Sequence, residues 1–140
     1  MTIIGELPEV NWNKVFDDAE SVEVSYLHPG ECDRLRTSPR QDLVAVGNTL
    51  EKLDRRQAEQ LLASLRDLHA RRVLLRLQSN TGVLKHSDVM AFGFTRLARL
   101  HVRSAVVQYY GFDLYSYKTT PDWLNARYWA NPELFDKYRW

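Results

Sequence analysis

The stretch "QDLVAVGNTLEKLDRRQAEQLLASLRDLHARRVLLRL", residues 41–77, sets two compact apolar runs on either side of a helix-patterned segment, and its reading decides the fold. "DLVAV" reads as a buried strand. Asp54 is placed to cap the next helix, with Gln57 three positions on to reach back to the cap's backbone N–H. Ala58, Leu61, Leu62, Leu65 and Leu68 then recur at helical spacing, while Arg55, Arg56, Glu59, Arg66 and Asp67 take the opposite side. "RRVLLRL" is a second apolar strand. Two strands joined through a covering helix are parallel neighbours linked by a right-handed crossover, so the stretch is a βαβ unit.

Downstream, Ser87 is placed to cap a short helix through Phe92, stopped by Gly93. "FTRLARLHV" and "SAVVQYYGFDLYSY" then flank a tight Arg103–Ser104 connection and read as an antiparallel hairpin. The first of these also repeats Phe94, Leu97 and Leu100 every three residues, a pattern that would instead prolong the helix. Gly111 marks a bulge or bend in the long last strand. Thr120 before Pro121 and Asn131 before Pro132 are two further helix starts. Upstream, Leu7 to Glu20 carries Val10, Trp12, Val15 and Phe16 at the spacing of a short packing helix. Ser21 to Leu27 alternates as a strand running into the turn "HPGE", and the polar run from Cys32 to Gln41 suits a surface connection.

The composition is that of an ordinary globular protein: 140 residues, 44% hydrophobic, 26% charged, with a formal net charge of +1. Such a balance supplies no long-range field for nucleic acid or an anionic membrane. A single cysteine, Cys32, excludes an intrachain disulfide framework. The opening residues lack the pattern of a signal peptide and no apolar run spans a bilayer, so the expected location is the cytoplasm. Residues 1–140 are expected to form one domain, with 118–140 an aromatic helical tail packed on or beside it.

The order of buried strand, capped helix, buried strand, short helix and hairpin resembles the second half of a class I S-adenosylmethionine-dependent methyltransferase. The likeness covers residues 41–115. In that family a segment like "DLVAVGNTLEKL" is the fourth strand and the turn after it, ending in a leucine-acid-histidine-leucine pattern. Leu50, Glu51 and Leu53 match, and Lys52 replaces the histidine. The terminal block "TPDWLNARYWANPELFDKYRW" is similar to that of a family of short bacterial proteins of unknown function. The resemblance implies an α/β three-layer sandwich, a shortened Rossmann-like methyltransferase fold whose mostly parallel sheet of about five strands ends in an antiparallel hairpin. It places Gly47 and Asn48 at the strand ends where the cofactor would be held.

The front of the chain departs from that family. A methyltransferase carries a glycine-rich turn after its first strand and an acidic residue ending its second. The six glycines here, Gly5, Gly30, Gly47, Gly82, Gly93 and Gly111, form no such turn. With few residues ahead of Asp42, Ser21 to Leu27 is expected to take or replace the first-strand position, leaving half the cofactor cleft unbuilt. A small ligand needs enclosure on several sides, so residual affinity for S-adenosylmethionine would be weak.

Other constellations are ordinary. His28 and Cys32, four apart across a Pro-Gly turn, lack the further ligands a metal requires and the third group a nucleophile requires. His69, His86 and His101 stand singly as helix-end, cap-region and strand-surface residues. Arg34, Arg36, Arg40, Arg55, Arg56, Arg71, Arg72 and Lys85 would make a phosphate-binding rim were they not interrupted by Glu31, Asp33, Glu51 and Asp54, which argues against nucleic-acid binding. The tail crowds Trp123, Tyr128, Trp129, Phe135, Tyr138 and Trp140 beside Arg127, Lys137 and Arg139. Folded back it is a lid; left open, Trp123, Arg127, Trp129, Tyr138 and Trp140 are anchors for a partner. The functional expectation is a non-catalytic interaction or scaffold protein, with no metal and no cofactor, that dimerises through an exposed sheet edge. The alternatives are a methyltransferase completed by a second protein or using an altered cofactor site at Gly47 and Asn48, and an RNA-binding protein.

Overall fold

The computed structural model describes residues 1–7, 23–79, 83–102 and 105–116. Six strands run through them: β1 (Thr2–Ile4), β2 (Ser25–Leu27), β3 (Gln41–Val46), β4 (Ala70–Gln78), β5 (Thr95–Val102) and β6 (Ala105–Asp113). They form one sheet in the order β2-β1-β3-β4-β6-β5. β1 pairs in parallel with both β2 and β3, and β3 in parallel with β4. β6 is antiparallel to β4 and to β5, so it is the one reversed strand, inserted between two that run the same way. This is an α/β, Rossmann-like sheet of the methyltransferase type, closed by an antiparallel hairpin. The connection at Arg103–Ser104 lies outside the described residues.

The expected βαβ unit is present. α1 (Arg55–Ser64) joins β3 to β4, and Asp54 Oδ1 accepts from the Gln57 N–H at 2.8 Å while Gln57 Oε1 accepts from the Asp54 N–H at 3.1 Å. A cap of this kind is worth about 1 kcal/mol. Ala58, Leu61, Leu62 and Leu65 turn inward and join the core. Leu68 does not, being 65% exposed. The reason is a π-helical turn at Leu65–His69, which takes an extra residue per turn and rotates the later side chains off the apolar stripe.

The sheet alternates its side chains between two faces. Ile4, Val44, Val46, Val73, Leu75, Leu77, Tyr110 and Phe112 meet the helical segments in one cluster that also takes in Leu84, Val89 and Phe94. Ile3, Ala45 and Val107 point the other way and are buried as well, at 2%, 0% and 4% exposure, so the sheet is covered on both faces at these positions, while Arg72 on β4 stays exposed.

Several expectations need correction. The strand beside β3 is Thr2–Ile4, and Ser25–Leu27 pairs outside it at the edge, making six strands rather than about five. Three residues, all buried, are too few to show alternation, which is why β1 is invisible in the pattern. The polar run after Leu27 is not a bare connection: Pro29–Thr37 is a 3₁₀ helix that carries Leu35 into the core. α2 (His86–Ala91) starts one residue ahead of Ser87, with the Asp88 carboxylate accepting from the Lys85 N–H at 2.9 Å. Gly93 ends this segment with φ +87°, as expected of a helix stop. The bulge expected at Gly111 lies on the facing strand, between Arg96 and Ala98, and the Leu97 side chain packs over the bare Gly111 Cα. The expected helices at 7–20 and beyond Thr120 fall outside the described residues, except for Leu7 at the head of the first.

Candidate functional site

Open α/β sheets bind ligands beyond the carboxyl ends of their strands, where strand order reverses. Here the reversal lies between β1, which leads outward to β2, and β3, which leads inward to β4. The residues at those two strand ends are Gly5, Glu6, Gly47, Asn48 and Thr49, so Gly47 and Asn48 stand just beyond the carboxyl end of β3. Their polar groups are already engaged. The Gly47 N–H donates to Ile4 O at 2.8 Å, and the Asn48 N–H donates to Glu6 O at 3.2 Å. Asn48 Oδ1 accepts from the Glu6 N–H at 3.1 Å, and Asn48 Nδ2 donates to Glu6 Oε2 at 2.9 Å.

Thr49, fully buried, donates its hydroxyl to Ile4 O at 3.1 Å. Main chain approaches Gly47, and a side chain approaches Gly5. A Cβ on Gly47 would fall inside the Glu6 carbonyl; one on Gly5, whose φ is +77°, would fall on the Thr49 hydroxyl. Lys52, the residue in the place of the family's histidine, reaches the second Glu6 oxygen at 3.9 Å. The crevice between β1 and β3 is therefore bridged by the chain itself.

A second cluster sits one strand further along the same edge. β3 stops at the level of Leu75, and beyond its end Glu51 Oε1 accepts the Gln78 N–H at 2.9 Å. The other carboxylate oxygen, Oε2, is buried and meets no hydrogen-bond partner among the described residues. From the next residue a chain of hydrogen bonds runs inward: Gln108 Nε2 donates to Ser79 Oγ at 2.5 Å, Tyr110 Oη donates to Gln108 Oε1 at 2.8 Å, and His86 Nδ1 lies 3.0 Å from Tyr110 Oη. Tyr110 has only one proton and gives it to Gln108, so His86 Nδ1 is the donor in the last bond. Burial holds the Tyr110 phenol above its ordinary pKa and keeps it neutral.

Sequence reading names Glu51 for its match to the family pattern and sets His86 aside as a lone cap-region residue, and it passes over the rest of the cluster. One signal was available: alternation along β6 puts Gln108 and Tyr110 on the same inward face as Phe112, and a glutamine there needs partners.

Elsewhere the structure disperses the candidates. His28 caps the 3₁₀ segment, its Nδ1 accepting from the Gly30 N–H at 3.2 Å, with Glu31 returning a bond to the His28 N–H at 3.1 Å. Among the described residues no three His, Cys, Asp or Glu side chains gather as a metal site. The basic residues are largely engaged with neighbours. Arg71 pairs with Asp42 at 2.8 Å, Arg72 with Asp113 at 2.9 Å, and Arg55 with Glu59 at 2.8 Å. Arg40 donates to the carbonyls of Arg66, Asp67 and Ala70, closing the end of the π turn. A groove of about 750 Å³ runs along α1 from Leu53 to His69, away from the strand ends. No described helix is long and apolar enough to cross a membrane. Trp123, Arg127, Trp129, Tyr138 and Trp140 lie outside the described residues.

Sheet order and the strand-end geometry define an α/β chain with a methyltransferase-like sheet and a self-bridged crevice. A family model described as "Family of unknown function (DUF6231)" matches residues 6–140, and the chain belongs to that family. Among solved structures it is similar to magnesium protoporphyrin IX methyltransferase from Synechocystis PCC 6803, both in the form with bound SAM and in the form with bound SAH, at 15% identity and a TM-score of 0.48. Each match covers 71% of this chain, and 49% and 54% of those two chains respectively, so this chain spans about half their length. No curated protein matches.

Proposed function

We propose that this protein is a non-catalytic interaction protein built on a methyltransferase-like sheet, in which the chain's own Glu6–Asn48 bridge occupies the crevice where the fold would hold a cofactor. The observation that carries this reading is the close approach of the Glu6 main chain to Gly47, together with the use of Asn48's backbone N–H and both side-chain polar atoms on Glu6. A ligand entering there would have to break three hydrogen bonds and displace main chain, a cost its own contacts would have to exceed. Titration calorimetry of the full chain with S-adenosylmethionine and S-adenosylhomocysteine is expected to show no saturable heat at millimolar ligand. Saturable binding at micromolar strength would defeat the reading in favour of a methyltransferase.

The partner surface on this reading is β5, the long edge of the sheet, where Leu97, Leu100 and Val102 are 61%, 48% and 51% exposed. Such an edge invites strand pairing. In an antiparallel two-fold pairing centred between Ala98 and Arg99, leucine faces leucine and arginine faces alanine, so no two arginines meet. The expected state is a homodimer by light scattering, converted to monomer by Leu100→Glu. A monomer at every concentration would remove the dimer and leave the aromatic side chains of 118–140 as the anchors.

A further inference from the structure

The register of β5 on β6 sorts its side chains onto two unlike faces. Arg96 stands opposite Tyr110, Arg99 opposite Gln108 and His101 opposite Val106, so the three basic residues share the face to which Gln108 and Tyr110 turn. Ala98, Leu100 and Val102 stand opposite Tyr109, Val107 and Ala105, and Leu97 packs over Gly111, all on the other face. The strand is therefore basic on one face and apolar on the other, and Arg96, Leu97, Arg99, Leu100, His101 and Val102 are all exposed.

Among the described residues nothing answers the basic row. Residues 95–112 hold three arginines and no aspartate or glutamate, which makes the hairpin positive in a chain whose net charge is only +1. The nearest carboxylates in sequence, Asp88 and Asp113, are taken by Arg55 at 3.4 Å and by Arg72 at 2.9 Å. No described ion pair uses Arg96, Arg99 or His101, whereas Arg34, Arg55, Arg66, Arg71 and Arg72 each meet a carboxylate. Arg99 and His101 are two positions apart, about 6.8 Å along the strand, which is the repeat at which an added strand sets its own same-face side chains. β5 also ends the sheet. Past the bulge between Arg96 and Ala98, residues 98–102 pair with β6 without interruption and present an outer edge that no described strand covers.

We propose that β5 binds an extended acidic segment of another protein as an added strand, its carboxylates facing Arg99 and His101 and the apolar side chains between them covering Leu100 and Val102. Arg96, beyond the bulge, adds charge to the same face. This rests on the reading of β5 as the partner surface and names the chemistry of the partner. A second copy of the chain suits the apolar face but not the basic one, because the two-fold pairing sets Arg96 against His101 of the second copy. A polynucleotide would answer the basic row yet leave Leu97, Leu100 and Val102 uncovered and the outer main chain unpaired. A strand that alternates acidic and apolar residues satisfies both faces and the edge together.

The test titrates the full chain, isotope-labelled for NMR, with a capped octapeptide in which glutamate alternates with valine. Saturable shifts of the 98–102 amides are expected, with affinity falling as salt is raised. Glutamine in place of every glutamate should weaken binding about tenfold, as losing a few exposed charge pairs would. Arg99→Glu should lose the acidic peptide and bind instead the peptide with lysine in place of glutamate, a reversal that an unfolded variant could not give. Equal binding of the glutamate and glutamine peptides, an Arg99→Glu variant that keeps its preference for the acidic peptide, or tighter binding of oligothymidylate at the same amides would each overturn the proposal. So would silence of the acidic peptide at millimolar concentration. Silence in a chain that still dimerises, and that Leu100→Glu makes monomeric, would overturn the acidic partner alone; silence in a chain that is also monomeric would remove β5 as a partner surface altogether.

Discussion

Replacing Gly47 by alanine should destabilise the protein by about 3 kcal/mol, the upper part of the range for forcing atoms into a packed site, because the new methyl would meet main chain rather than a side chain that can swing away. The Glu6 carbonyl would have to move, and with it the bonds between Glu6 and Asn48. Urea unfolding of Gly47→Ala and of Gly30→Ala checks this. Gly30 is exposed with only ordinary contact to the His28 ring, so its substitution should change stability by less than about 0.5 kcal/mol. Equal midpoints for the two variants would mean that the Glu6 main chain does not lie on Gly47.

Removing the Tyr110 hydroxyl should cost about 2 kcal/mol. Tyr110 is fully buried, and Tyr110→Phe leaves Gln108 Oε1, itself nearly buried, without its donor and His86 Nδ1 without its acceptor. The pH dependence has a definite sign. Burial raises the folded-state pKa of this phenol above its ordinary value of 10.0, so unfolding releases its proton at high pH. The contribution is complete below pH 10 and is lost as pH rises through the folded pKa. Stability measured above pH 10 should therefore fall less steeply in Tyr110→Phe than in the parent chain. Identical slopes would show that the hydroxyl is not held neutral by the core.

The parts of the fold legible in the sequence are those where pattern and burial coincide. Asp54 and Gln57 announce the capped helix, and the two apolar runs around it announce parallel neighbours, because each strand is long enough for its composition to register. β1 is illegible for the opposite reason: three buried residues carry no period. Leu68 shows a different limit, since a change of helical hydrogen-bonding pattern moves a residue off its stripe without any mark in the spacing. The bulge expected at Gly111 is instead a packing effect. Leu97 needs the space that the glycine leaves, and which strand carries the irregularity depends on pairing that a single strand's residues do not encode.

At the candidate site the sequence shows that Gly47 and Asn48 follow an apolar strand but does not show what they contact. Glu6 lies forty-two positions from Asn48, and nothing local links a glutamate in an N-terminal turn to an asparagine after another strand. The row from His86 to Ser79 is hidden in the same way, its members joined only when β6 inserts between β4 and β5.

A crystal structure of the full chain grown with saturating S-adenosylhomocysteine tests the account most directly, because it reads the crevice between β1 and β3 itself. The expected result is the Glu6–Asn48 bridge intact, with the Glu6 carbonyl over Gly47 and no nucleoside between the two strand ends. An adenosyl group seated between Gly5 and Gly47, with Glu6 displaced and Asn48 turned onto the ligand, would contradict it.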